Sequence, residues 1–100
     1  MKKRTLKVYA ELIEVARVRG VIAYSELAER CGYGKEGGLI VKPLLNEIHK
    51  AEVDSGRTGL DALVVRKHDG TPGHGYNEGD VDAWREDVEN VYAEWSTLDD

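Results

Sequence analysis

Near the end of the chain Val81, Trp84, Val88, Val91, Trp95 and Leu98 recur at alternating spacings of three and four, with Tyr92 beside them. On a helix this spacing keeps one continuous apolar stripe, and it predicts a helix from about Asp80 to Trp95. A stripe carrying two tryptophans has to be covered, by the rest of one core or by a second copy of the chain. One hundred residues, 41% of them hydrophobic, supply one modest core, so a single domain spanning residues 1–100 is expected. A homodimer through Val81, Trp84, Val88, Val91 and Trp95 is the alternative use of the same seam.

The earlier segments follow from the same periodicities. Leu6, Val8, Tyr9, Leu12, Ile13, Val15 and Ala16 cover about half of a helical wheel, predicting a buried helix from Leu6 to Arg19 that ends at Gly20, in the position where a positive φ is usual. Val21 to Tyr24 is long enough for one sheet rung only. Ser25 is placed to cap a second helix, with Glu26 in its first turn; this helix runs through Leu27, Ala28 and Cys31 and stops at Gly32, before a glycine-rich turn. A third helix carries Leu44, Leu45, Ile48 and Ala51 on one face, has Pro43 in its first turn and fades before Gly56. Asp61 to Lys67 reads as a strand, His68 to Gly73 as a turn and His74 to Tyr76 as a returning strand.

This order predicts a mainly α fold with a small β-hairpin. It is that of a winged helix-turn-helix with an added C-terminal amphipathic helix. The helix-turn-helix would span about 25–55, the wing about 61–76 and the last helix about 80–95.

Net charge is -5, but unevenly spread: residues 1–75 hold 13 Lys and Arg against 10 Asp and Glu, and residues 76–100 hold 1 against 9. A body of about +3 can bind phosphate if the acidic end faces away. No apolar run is long enough to span a membrane, and Met1-Lys2-Lys3-Arg4 leads into an amphipathic segment, so a cytoplasmic protein without membrane contact is expected. Cys31, the sole cysteine, forms no internal disulfide and reads as a small core residue.

The candidate binding residues lie in two places. On the third helix, the face opposite the apolar arc carries Lys42, Asn46, His49, Lys50 and, if the helix reaches it, Arg57; lysines suit phosphates and an asparagine suits base edges. Glu47 and Asp54 flank that face, and Glu52 falls inside the apolar arc, as it would where a helix end frays. Around the proposed wing tip Arg66, Lys67, His68 and His74 could grip a phosphate. His68, Asp69 and His74 lack the third nitrogen or sulfur ligand that zinc favours, so no metal is expected. No serine, histidine and carboxylate stand at a hydrolytic spacing, and the glycines 32–38 lack the lysine and hydroxyl of a phosphate loop; neither a catalytic residue nor a cofactor is expected.

Two stretches carry a family resemblance. Gly20-Val21-Ile22-Ala23-Tyr24-Ser25-Glu26-Leu27-Ala28 and Leu63-Val64-Val65-Arg66-Lys67-His68-Asp69-Gly70, the latter followed by Gly73-His74-Gly75-Tyr76, make the chain from Val8 to Tyr76 resemble the DNA-binding half of the O6-alkylguanine-DNA alkyltransferases and alkyltransferase-like proteins. The resemblance implies a winged helix that binds double-stranded DNA through its third helix and wing. Where that family has a Pro-Cys-His-Arg motif this chain has Leu63-Val64-Val65-Arg66, so alkyl transfer is not implied. The family's base-replacing arginine has its nearest counterpart in Lys42, which stacks less well. The expectation is a non-enzymatic DNA-binding module; the alternative is a protein-interaction or inhibitor domain of the same fold that engages a nucleic-acid-handling protein through its acidic C-terminal helix.

Overall fold

A computed structural model describes residues 2–34, 37–66, 70 and 81–96. Its elements run α1 (Lys3–Arg17), β1 (Ile22–Ala23), α2 (Tyr24–Arg30), α3 (Gly38–Asp54), a 3₁₀ turn (Leu60–Leu63), β2 (Val64–Val65) and α4 (Val81–Ser96). The chain is therefore mainly helical with a two-stranded sheet.

The helices stand where the apolar periodicity places them, because each buries the stripe that defines it. Val8, Leu12, Val15 and Ala16 of α1 meet Leu27 and Ala28 of α2, Val41, Leu44, Leu45 and Ile48 of α3, and Val88, Val91, Tyr92 and Trp95 of α4 in one core. Helix α1 is its centre, packing against α3, α4 and the 3₁₀ turn, while α2 packs on α3. The seam of α4 is thus spent inside the chain: Val88, Val91 and Trp95 are buried, and Trp84 donates its Nε1 proton to the Ala62 carbonyl at 2.7 Å. Of the residues through which two copies could alternatively pair, Val88, Val91 and Trp95 are covered within the chain and Val81 is exposed.

Three helices end alike. After α1, α2 and α3 the two following amides turn back onto carbonyls of the last turn, Gly20 to Val15 and Arg19 to Ala16, Tyr33 to Ala28 and Gly32 to Glu29, Arg57 to Glu52 and Gly56 to Val53. This closure places one residue in the left-handed region. Gly32 and Gly56 fill it at φ 86° and 81°, as glycine does without penalty, but after α1 the residue is Arg19 at φ 52°, one position before the expected Gly20.

Other boundaries also differ. Helix α2 starts at Tyr24 with Ala23 as its N-cap and no side-chain cap, so Ser25 lies inside the helix. Helix α3 starts at Gly38, five residues before Pro43, which is an interior residue rather than a first-turn one. Proline there cannot donate to the Leu39 carbonyl, an omission water can make good because Leu39 is 84% exposed. The expected strand from Asp61 starts later: Leu60–Leu63 coil into a 3₁₀ turn that buries Leu60, Ala62 and Leu63, and among the described residues Val64 and Val65 are left to pair. They pair in parallel with β1, Ile22 opposite Val64 and Ala23 opposite Val65. A parallel pair needs a long crossover, supplied here by α2, α3 and the 3₁₀ turn. The expected hairpin partner, His74-Gly75-Tyr76, lies outside the described residues.

Candidate nucleic-acid interface

Because α3 buries Val41, Leu44, Leu45 and Ile48, the residues between them are turned outward. Lys42, Asn46, His49 and Lys50 are all exposed, and so are Leu39, Pro43 and Val53 on the same side. Among the described residues Lys42, Asn46 and Lys50 have no ion-pair partner. Spaced four apart, these three stand almost in line, and the helical rise separates Lys42 from Lys50 by about 12 Å along the axis. Helix α3 ends at Asp54, so it does not carry Arg57 on this face.

Glu47, which flanks the lysines, is engaged by α1: Thr5, itself fully buried, donates its hydroxyl to Glu47 Oε2 at 3.0 Å. Asp54 remains exposed. His49 is held from the other flank. Its Nδ1 lies 2.8 Å from Oδ1 of Asp61, the second residue of the 3₁₀ turn, whose side chain is 18% exposed. Burial pushes the Asp61 carboxyl up, the hydrogen bond and charge of His49 draw it partly back, and Asp87 of α4 adds a small upward push. Gly59 passes so close to the pair that a Cβ there would overlap both His49 Nδ1 and Asp61 Oδ1.

Arg57 turns inward. It donates from Nε to Glu52 Oε2 at 2.6 Å and from Nη2 to Oε1 at 3.1 Å, and its guanidinium lies 5.5 Å from the centre of the Trp95 ring. Glu52 is 1% exposed and also accepts the Tyr9 hydroxyl proton. Its place in the apolar arc is therefore not fraying: it is a buried carboxylate neutralised by a cation from beyond the helix end. Glu52 held on Tyr9 pushes that phenol up, after burial, which contributes most.

Arg66 follows β2 and is half-buried, and its charge acts on the Tyr24 phenol of α2 together with that of Asp61. Lys67, His68, Asp69 and His74 lie outside the described residues. Cys31 is buried, and burial pushes its thiol up; the neighbouring Arg30 is drawn instead to Glu26, at 3.1 Å. Among the described residues no three His, Cys, Asp or Glu side chains converge as a metal site requires, and no helix is long and apolar enough to cross a membrane.

The described part of the acidic end is the helix α4. On α4 Asp82, Glu86 and Glu89 are exposed, whereas Glu94 faces the body and accepts from the Thr58 amide and hydroxyl at 2.9 and 3.1 Å. Helix α4 packs on α1 and the 3₁₀ turn.

Sequence reasoning picked out the row on α3 but not its supports. Asp61 and Gly59 carried no signal, since their link to His49 exists only once the 3₁₀ turn has folded back on α3. For Glu52 the signal was its position among apolar residues. No protein-family model, no curated protein and no solved structure matches this chain.

Proposed function

We propose that the protein is a non-enzymatic DNA-binding module of winged-helix type, presenting α3 to the major groove of duplex DNA with the segment after β2 along the backbone. The observation that carries this reading is the row Lys42, Asn46, Lys50. Its two lysines are rooted about 12 Å apart along the helix with Asn46 between them, so that with α3 in the groove the ammonium groups would reach phosphates and the Asn46 amide would reach a base edge. The order of elements up to β2 and the resemblance in the segments around β1 and β2 support the same reading.

Titration of a labelled duplex tests it. Affinity should fall with salt with a log-log slope of about -3 to -4, for contacts from Lys42, Lys50, Arg66 and Lys67. Absence of binding at about 50 mM salt and tens of micromolar protein would end the proposal, since charge alone gives measurable nonspecific affinity there. The exposed carboxylates Asp82, Glu86 and Glu89 on one side of α4 favour, in that event, the alternative of a domain that engages a basic protein surface.

A further inference from the structure

The pair His49–Asp61 is built at some cost. A carboxylate is largely withdrawn from water, and the chain at Gly59 admits no side chain, all to grip one edge of a ring that is itself 48% exposed. Helix α3 already packs on the 3₁₀ turn through buried Ile48, Leu60 and Leu63, so the grip is not needed to join the two elements. What it does is orient the imidazole. Asp61 occupies Nδ1 and a Cβ at Gly59 would meet Nδ1 and Cε1, which leaves Nε2 as the ring nitrogen with no hydrogen-bond partner among the described residues. His49 belongs to the outward face of α3, two helical turns beyond Lys42 and one position from Lys50.

We propose that His49 is a phosphate-contact residue of this interface, and that Asp61 is the positioning residue that fixes its ring so that Nε2–H is delivered to a backbone phosphate. The inference rests on the DNA-binding reading and deepens it. With Nδ1–H committed to the Asp61 carboxylate, an Nε2–H donor requires the imidazolium, so the contact forms with uptake of one proton. The complex is a carboxylate, an imidazolium and a phosphate in a row, the cation between two anions. The charged and titratable groups around the pair are Asp87 from α4 and Tyr24 from α2, which interact electrically with Asp61, Arg66 beyond β2, which acts on Tyr24, and Lys42 and Lys50 on α3 itself. Histidine is the side-chain type whose charge ordinarily changes between pH 5 and 8.

The test measures duplex affinity of the full chain from pH 6 to 8 at constant salt, for the parent, His49→Gln and Asp61→Asn, together with nitrogen-15 NMR of the imidazole in the free protein. The parent should lose about three- to tenfold in affinity as pH rises across that range. His49→Gln should be flat by comparison, which separates His49 from His68 and His74. Asp61→Asn should weaken the parent's pH response while unfolding as cooperatively as the parent, and in the free protein at high pH the neutral ring should carry its proton on Nδ1. A pH response unchanged in His49→Gln, or a neutral ring protonated on Nε2, overturns this proposal while leaving DNA binding in place. No duplex binding by the parent at any pH overturns both.

Discussion

Arg57 closes over Glu52 from five residues further along the chain, its Nε 2.6 Å from a carboxylate that is 1% exposed. Its backbone amide simultaneously caps the α3 carbonyl of the same residue, so one arginine both ends the helix and neutralises its last buried charge. Removing the arginine strands the carboxylate. Arg57→Met should cost about 2 to 4 kcal/mol in denaturant unfolding, less than a fully enclosed pair would because the guanidinium is itself 41% exposed. Glu52→Leu combined with Arg57→Met should recover a good part of that loss. Equal destabilisation of the single and double variants would show that the cost is lost packing on Trp95 rather than an orphaned charge.

The two tryptophans of α4 should respond differently to the same change. Trp95 is 6% exposed and its indole N–H has no acceptor among the described residues, so Trp95→Phe gives up ring area but no hydrogen bond seen there, and should cost under about 1.5 kcal/mol. Trp84→Phe leaves the Ala62 carbonyl without its donor and should cost about 1 to 3 kcal/mol despite the greater exposure of its ring. Truncation to alanine should reverse the order, with Trp95→Ala at about 3 to 5 kcal/mol the more damaging. Unfolding midpoints for the four variants check both rankings, and an unchanged midpoint for Trp95→Ala would mean that α4 is not docked.

Arg19 holds a backbone conformation that glycine would accept freely, and its guanidinium lies 5.7 Å from the centre of the Tyr92 ring, whose hydroxyl binds the Gly20 carbonyl. The ring contact offers a reason for an arginine there. Arg19→Ala keeps the strain and loses the contact; Arg19→Gly loses both. Alanine should therefore be less stable than glycine by about 1 kcal/mol, with glycine close to the parent. Equal stabilities for the two variants would mean that this turn stores no strain.

Periodicity made the helices legible because each buries the stripe that announces it, and α4, with the strictest spacing, was read to within a residue at either end. It failed where burial is local and aperiodic. Leu60, Ala62 and Leu63 are all buried, a density that reads as a strand until the tighter 3₁₀ turn is seen to point all three inward. The start of α3 was hidden by glycines that suggest a loop, and by a proline that suggests a first turn but lies inside the helix. Of the candidate site, the outward row on α3 follows from the wheel alone. Its flanks do not, because Thr5 meets Glu47 across 42 residues of sequence and Tyr9 meets Glu52 across 43, separations over which no pattern in the chain announces a partner.

The row itself makes a prediction in which its members separate by chemistry. Lys42→Glu and Lys50→Glu should each weaken binding to every duplex, because each loses a phosphate contact and adds repulsion, and each should lower the salt slope by about one. Both positions are exposed and without ion-pair partners among the described residues, so neither change should move the unfolding midpoint by more than about 0.5 kcal/mol. Asn46→Ala should leave the salt slope intact. If its amide reads an adenine edge, its loss erodes the preference for one sequence over another by about 1 to 3 kcal/mol, while binding to unrelated duplexes stays nearly as strong. Arg57→Met serves as the counter-example, since its guanidinium is committed to Glu52: it should lower stability and leave the salt slope of the still-folded protein unchanged. A lysine variant that binds as the parent does, at the same slope, would remove that lysine from the interface. If both did so, duplex binding would have to run through residues other than these two lysines, and the groove-spanning row would lose its role.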